Sequence, residues 1–245
     1  MIIYYQTDER WANKLYSASA PHTETIKSSG CGITCAAMVI SNLTKEKVTP
    51  DIMADYSVRR GYRIDGVGTA HSLYPAIAKE YNLNCTQCYD IHTATKCVLN
   101  GGMVVCSTNG GINGLFSTGG HLFVMCAVEG DICIFADPYL YDGKYNKSFR
   151  KNKAKVKNGL VYVKSEFAKT EIITYFCFTG KEKTMIETAN DITWELAEKY
   201  IEIKDREGFV KALDKAKQEE SPLYWGFYKL VNKISEGKDG KELSV

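Results

Sequence analysis

The hydrophobic pattern of the chain changes period near residue 100, and this change constrains the fold more than any other feature. Before it, apolar residues recur at helical spacing. Residues 31–42, beginning Cys31-Gly32-Ile33-Thr34-Cys35-Ala36-Ala37-Met38, predict a helix with a small-residue face. Thr49-Pro50 reads as an N-cap with proline at the first helical position, opening a helix to about Tyr56. Residues 70–81 predict another helix, with Pro75 arguing for a kink or a later start. Thr93 is expected to cap a short helix reaching Leu99. After residue 100 come short apolar runs: Met103 to Ser107, Leu122 to Val128, Ile132 to Ala136, Leu160 to Val163 and Ile172 to Phe178. Glu129-Gly130-Asp131 marks a hairpin turn between the second and third. Helices followed by an antiparallel sheet predict the α+β class.

A chain of 245 residues can bury a core without disulfide staples. Its nine cysteines are an odd number, so at least one stays unpaired within the chain. The start, Met1-Ile2-Ile3-Tyr4-Tyr5-Gln6, lacks the basic and apolar regions of a secretory signal, so cytoplasmic synthesis and reduced thiols are expected. No apolar run approaches the length of a membrane span, so membrane insertion is not expected. A net charge of +2 is too small to imply a nucleic-acid partner. All nine cysteines and all four histidines precede residue 178, so the chemistry is expected within residues 1–180. A linker is expected near Thr179 to Lys183, then a small helical module over residues 184–245, in which Asp205 and Ser221-Pro222 open helices.

Cys31 stands between two glycines at a helix start, where unpaired N–H groups and the helix dipole favour a thiolate and the glycines would let a substrate backbone approach. A small residue buried at a tight turn is the plainer reading of the same position. Cys35, one turn further in among alanines, reads as core. A nucleophilic cysteine needs a base. His121, in Gly119-Gly120-His121-Leu122-Phe123-Val124, enters a strand from a glycine-rich loop. Asp137, sixteen residues on at Ala136-Asp137-Pro138, can return along the hairpin to accept the His121 Nδ1 proton. Read alone, His121 is a satisfied strand histidine and Asp137 a turn residue; hairpin spacing joins them. The Cys31 amide and the Gln6 side chain are candidate oxyanion donors.

These residues together resemble the papain-like peptidases related to the bacteriocin leader-processing cysteine peptidases. The Cys-Gly-Ile-Thr helix start, the Gly-His strand, the Asp-Pro that follows and Tyr4-Tyr5-Gln6-Thr7-Asp8-Glu9-Arg10-Trp11 carry the likeness, the last resembling the stand-alone branch. The resemblance covers roughly residues 1–180. It implies a papain-like fold, Cys31 as nucleophile, His121 as base and acid, Asp137 as orienter, Gln6 as oxyanion donor, and no cofactor or metal. The tail, with Ile192-Thr193-Trp194-Glu195 and Pro222-Leu223-Tyr224-Trp225, more loosely resembles helical modules of phage endolysins. That likeness implies a peptidoglycan substrate, a wall-targeting or assembly role for the tail, and release of the protein to the wall. A thioester-forming acyltransferase and an inactive wall-binding or virion structural protein are the alternatives on the same fold.

Cys85-Thr86-Gln87-Cys88, with His92 and Cys97 downstream, could contribute to a zinc site, but lacks a second CxxC, so core thiols on a strand and turn are the plainer reading. Residues 147–157 hold six basic residues and no acid; a solvated hairpin loop is expected over an anion-binding patch. The glycines between Thr108 and Gly120 are expected to form mobile loop walls.

Overall fold

The computed structural model describes residues 1–180, apart from residues 112 and 148. A short helix α1 (Ile26–Ser29) leads directly into α2 (Cys31–Leu43), which is buried from Gly32 to Ser41. A helix apolar all round belongs inside a fold, and the small side chains of Cys35, Ala36 and Ala37 fill that role in α2. Helix α3 (Pro50–Arg59) begins as its Thr49-Pro50 signal demands. A two-residue ribbon, β1 (Arg63–Ile64) with β2 (Gly68–Thr69), precedes α4 (Leu73–Glu80). Pro75 falls in the first turn of α4, where the missing N–H has no intrahelical partner anyway. The late start is therefore the one proline permits.

The remaining elements are β3 (Leu83–Cys88), α5 (Ile91–Leu99), β4 (Met103–Thr108), β5 (His121–Glu129), β6 (Ile132–Ala136), β7 (Ala154–Lys157), β8 (Leu160–Lys164), α6 (Ser165–Glu171) and β9 (Thr174–Gly180). The cap of α5 is Asp90, whose carboxylate accepts the Thr93 N–H at 2.8 Å; Thr93 is the capped residue rather than the cap. Seven strands form one antiparallel sheet in the order β3-β9-β4-β5-β6-β8-β7.

The architecture is mixed helix and antiparallel sheet, but the helices do not all precede the strands. α5 and α6 interleave with them and serve the second face. One core joins α2, α3 and α4 to Val105, Leu122, Val124, Phe176 and Phe178. The other joins α5 and α6 to Cys106, Phe123, Met125, Phe135 and Tyr175. Alternation along each strand divides side chains between these faces. Strands β7 and β8 are joined by Asn158-Gly159, both at positive φ (52° and 75°), the backbone a two-residue type I′ turn requires. The helical module expected over residues 184–245 lies outside the described residues.

The β5–β6 hairpin carries one irregularity. Glu129 pairs with Ile132, Val128 with Cys133 and Ala127 with Ile134, but Met125 pairs with Phe135 and Val124 with Ala136. Cys126 is the extra residue, a β-bulge. Because side chains alternate, an extra residue moves everything beyond it to the opposite face relative to its partner strand. Continued by one residue, the bulged register sets Asp137 opposite Phe123, on the His121 side of the sheet. An unbulged register would set it opposite Val124, on the other side.

Candidate active site

Gly30 and Gly32 allow Cys31 its place at the start of α2. A Cβ on Gly30 would lie 2.4 Å from the Ile26 carbonyl oxygen, and one on Gly32 would lie 2.6 Å from Thr69 Cβ. The glycines thus serve the close packing of α1 and β2 around the cysteine. Cys31 is partly exposed, whereas Cys35 is fully buried.

The Cys31 thiol and the His121 imidazole are neighbours, each shifting the other's ionisation. His121 opens β5 opposite Thr108 of β4 and is buried, its ring 5.8 Å from that of Phe123. Its Nε2 lies 2.8 Å from Asp137 Oδ1. The expected contact through Nδ1 is therefore corrected: Asp137 takes the Nε2 proton, and Nδ1 is the nitrogen left for Cys31. Ring orientation follows from the position of the strand relative to α2, which spacing along the chain does not express.

Burial opposes ionisation of Cys31 most strongly. The neighbouring His121 imidazole and its charge, with N–H groups of Leu122 and Gly32, nevertheless carry the thiol below its ordinary range. Burial likewise works against the imidazolium, yet Asp137 and Cys31 raise His121 to about 9. Both shifts favour a thiolate–imidazolium pair at neutral pH. Burial raises the thiols of Cys35, Cys85, Cys88, Cys106, Cys126 and Cys133. The neighbouring thiols of Cys97 and Cys177 shift in opposite directions, Cys97 down and Cys177 up.

The alkylation of Cys31 by iodoacetamide, followed by peptide mass spectrometry across pH, is expected to reach half its limiting rate at a lower pH than an ordinary thiol does. Turnover, which also needs the imidazolium to protonate the leaving amine, is present below His121's midpoint and is lost as pH rises through about 9. Alkylation of Cys31 no faster at pH 7 than that of buried Cys106 would contradict the activated pair.

Asp137 is fully buried and accepts four hydrogen bonds. Oδ1 receives His121 Nε2 and the Tyr139 N–H at 2.9 Å; Oδ2 receives Lys144 Nζ at 2.6 Å and Tyr145 Oη at 2.8 Å. Burial opposes its charge, but His121 and Lys144 together hold the carboxyl far below the usual carboxylate range. Lys144 and Tyr145 were not legible in the sequence: they lie in an irregular loop seven and eight residues after Asp137, without a periodic pattern or motif.

Gln6 is buried beside this cluster. Its N–H donates to the Pro138 carbonyl at 2.8 Å, and its Nε2 donates to Lys27 O at 2.7 Å and to Ile26 O at 3.5 Å. Gln6 thereby ties the segment after Asp137 to the turn that enters Cys31, and its amide rests on α1 carbonyls. Its Oε1 is buried without a hydrogen-bond partner among the described residues.

The glycine-rich loop between β4 and β5 is anchored at Asn113, Gly114 and Leu115. Glu171, itself buried, accepts the Asn113 and Leu115 N–H groups at 3.0 and 3.1 Å, and Arg150 Nε donates to the Gly114 carbonyl at 2.9 Å. Arg150 belongs to the basic stretch, so that stretch is partly structural; Lys155 and Lys157 on β7 are exposed. Cys88 and Cys177 stand 3.6 Å apart, sulfur to sulfur. Among the described residues no group of three or more His, Cys, Asp or Glu is arranged to hold a metal ion. A cavity of about 590 Å³ lies between Tyr5, Thr7, Asp8 and the 140–146 loop; neither Cys31 nor His121 lines it.

Residues 3–169 match the model of the Peptidase_C39 like family. The chain belongs to that family. Membership supports cysteine peptidase activity on a papain-like scaffold. No curated protein matches the chain. Among solved structures, one from Bacillus anthracis described as a C39-like peptidase is 13% identical, with a TM-score of 0.40, over 71% of this chain and 98% of that one. The family match covers every element that carries Gln6, Cys31, His121 and Asp137.

Proposed function

We propose that this C39-like chain hydrolyses peptide or amide bonds through Cys31, His121 and Asp137. The observation that carries the reading is the His121–Asp137 hydrogen bond, with the Cys31 thiol at the start of α2 neighbouring the same imidazole. The Cys31 thiolate attacks the carbonyl carbon, the His121 Nδ1 proton passes to the leaving amine, and a thioester remains. Water, deprotonated by His121, then releases the acid and frees the thiol. The Cys31 N–H, at a helix position without an intrahelical acceptor, and the Gln6 amide are the proposed oxyanion donors. Gln6 would have to turn one N–H from the Ile26 carbonyl toward the oxyanion.

The proposed substrate is bacterial peptidoglycan, cut in its peptide stem or bridge or at the amide link to the glycan, by a protein released to the wall in the manner of a phage endolysin. Support for this substrate comes from the resemblance of residues 184–245 to endolysin modules. Among the described residues no helix is long and apolar enough to cross a membrane.

Mass spectrometry of purified wall fragments incubated with the full chain is expected to show new amino termini at one type of bond. Fragments gaining water indicate hydrolysis; fragments gaining an added amine would move the assignment to acyl transfer. Unchanged walls alongside cleaved peptides would reject the wall as substrate and leave the peptidase.

A further inference from the structure

A lysine ammonium taken out of water is costly unless it is paired. Lys144 is 4% exposed, and its Nζ lies 2.6 Å from the carboxylate that also holds His121. We propose that Lys144 is a positioning residue of this site: it holds the second oxygen of Asp137 and, as a second cation on that carboxylate, sets the pH range over which the Cys31–His121 pair is charged. This rests on the catalytic reading above.

The first part of the role is geometric. A carboxylate offers about four acceptor directions. In Asp137 each oxygen receives two donors, His121 and the Tyr139 N–H on Oδ1, Lys144 and Tyr145 on Oδ2. With both oxygens engaged the group cannot rotate, so Oδ1 stays aimed at the imidazole. Lys144 is itself held, because Arg150 Nη1 donates to its carbonyl at 3.1 Å and its Nζ lies 5.7 and 5.6 Å from the Tyr139 and Tyr145 rings.

The second part is electrostatic. The buried groups in line are the Cys31 thiolate, the His121 imidazolium, the Asp137 carboxylate and the Lys144 ammonium, whose charges sum to zero. Among the described residues, the other titratable groups facing Asp137 or Lys144 include Tyr5 from the N-terminal segment, Cys35 from α2, and Tyr139, Tyr145 and Arg150 from the loop. Burial first, and Arg150 after it, oppose the Lys144 charge and hold its ammonium below the usual lysine range, while Asp137 and Cys31 favour the charge. Without Lys144 the cluster carries one net negative charge. The thiol then ionises less readily, and the imidazolium, facing the whole carboxylate charge, gives up its proton less readily. Both midpoints therefore move to higher pH. A lysine that only filled space would leave both where they are.

The test uses the full chain, with [13C]histidine spectra reporting His121 and iodoacetamide alkylation rates reporting Cys31, each across pH. K144M is expected to raise both midpoints by about one unit, so that the pH profile of Cys31 alkylation moves to higher pH by the same amount. K144R, which keeps the charge, is expected to return both toward the wild-type values. Unmoved midpoints in folded K144M would overturn the proposal. Should K144M fail to fold, the wild-type [15N]lysine spectrum decides: Lys144 Nζ must shift at the His121 midpoint, and a resonance insensitive to that step would also overturn it. Ordinary Cys31 and His121 midpoints in the wild type would instead remove the catalytic pair, and Lys144's role with it.

Discussion

Replacing Cys31 by alanine is expected to reduce bond cleavage on the order of 10⁴-fold or more, since loss of a nucleophile from a coupled set costs about as much as loss of the whole set. The fold is expected to survive. Cys31 is partly exposed at the first position of α2, and the residues that pack this helix begin with Gly32. Alanine keeps the helix start and removes only the sulfur, so melting should move little. Rates of amine release and thermal unfolding, measured on the same preparation, separate the two effects. Turnover persisting in C31A would show that the nucleophile lies elsewhere.

The second large effect falls on stability as well as activity. Asp137→Ala removes the acceptor of four donors at once and leaves the Lys144 ammonium buried without its carboxylate. Removing one partner of a buried ion pair costs about 3–5 kcal/mol, which in a domain of this size lowers the melting temperature by about 10 °C. Asp137→Asn keeps the shape and one acceptor, and should fall between alanine and wild type. The sign of the pH dependence follows from the depressed carboxyl of Asp137. Its contribution is fully present above the unfolded value of about 3.9 and is lost only as pH falls through the lower folded value. At neutral pH the whole difference between D137A and wild type should therefore appear. Melting of D137A at the wild-type temperature would show that the four donors do not depend on this carboxylate.

What the sequence disclosed and what it withheld follow a physical division. The α2 helix, the Thr49-Pro50 start and the Glu129-Gly130-Asp131 turn carry their signals within a few residues, and each lies where those signals put it. The strand expected at Cys85 to Cys88 is β3, but β7 carries no such signal, because it is an edge of the sheet where charged residues replace apolar alternation. The Asn158-Gly159 pair, a strong hairpin signal, could have disclosed β7 and β8 together. At the site, His121 and Asp137 were legible as a pair because a hairpin is a local structure. The nitrogen that joins them was not, nor was Lys144, because both depend on packing among elements distant in sequence.

The bulge at Cys126 gives this site a parity. His121 and Asp137 are separated by an even number of residues, and a two-residue hairpin without irregularity would turn such a pair to opposite faces. The extra residue restores agreement. Consequently the pairing of these two side chains is encoded in a count, odd or even, summed over turn and strands. Insertion or deletion of any single residue between them reverses that count. The active arrangement can thus be lost while every residue that composes it remains in the sequence, and recovered by a second one-residue change elsewhere in the same hairpin.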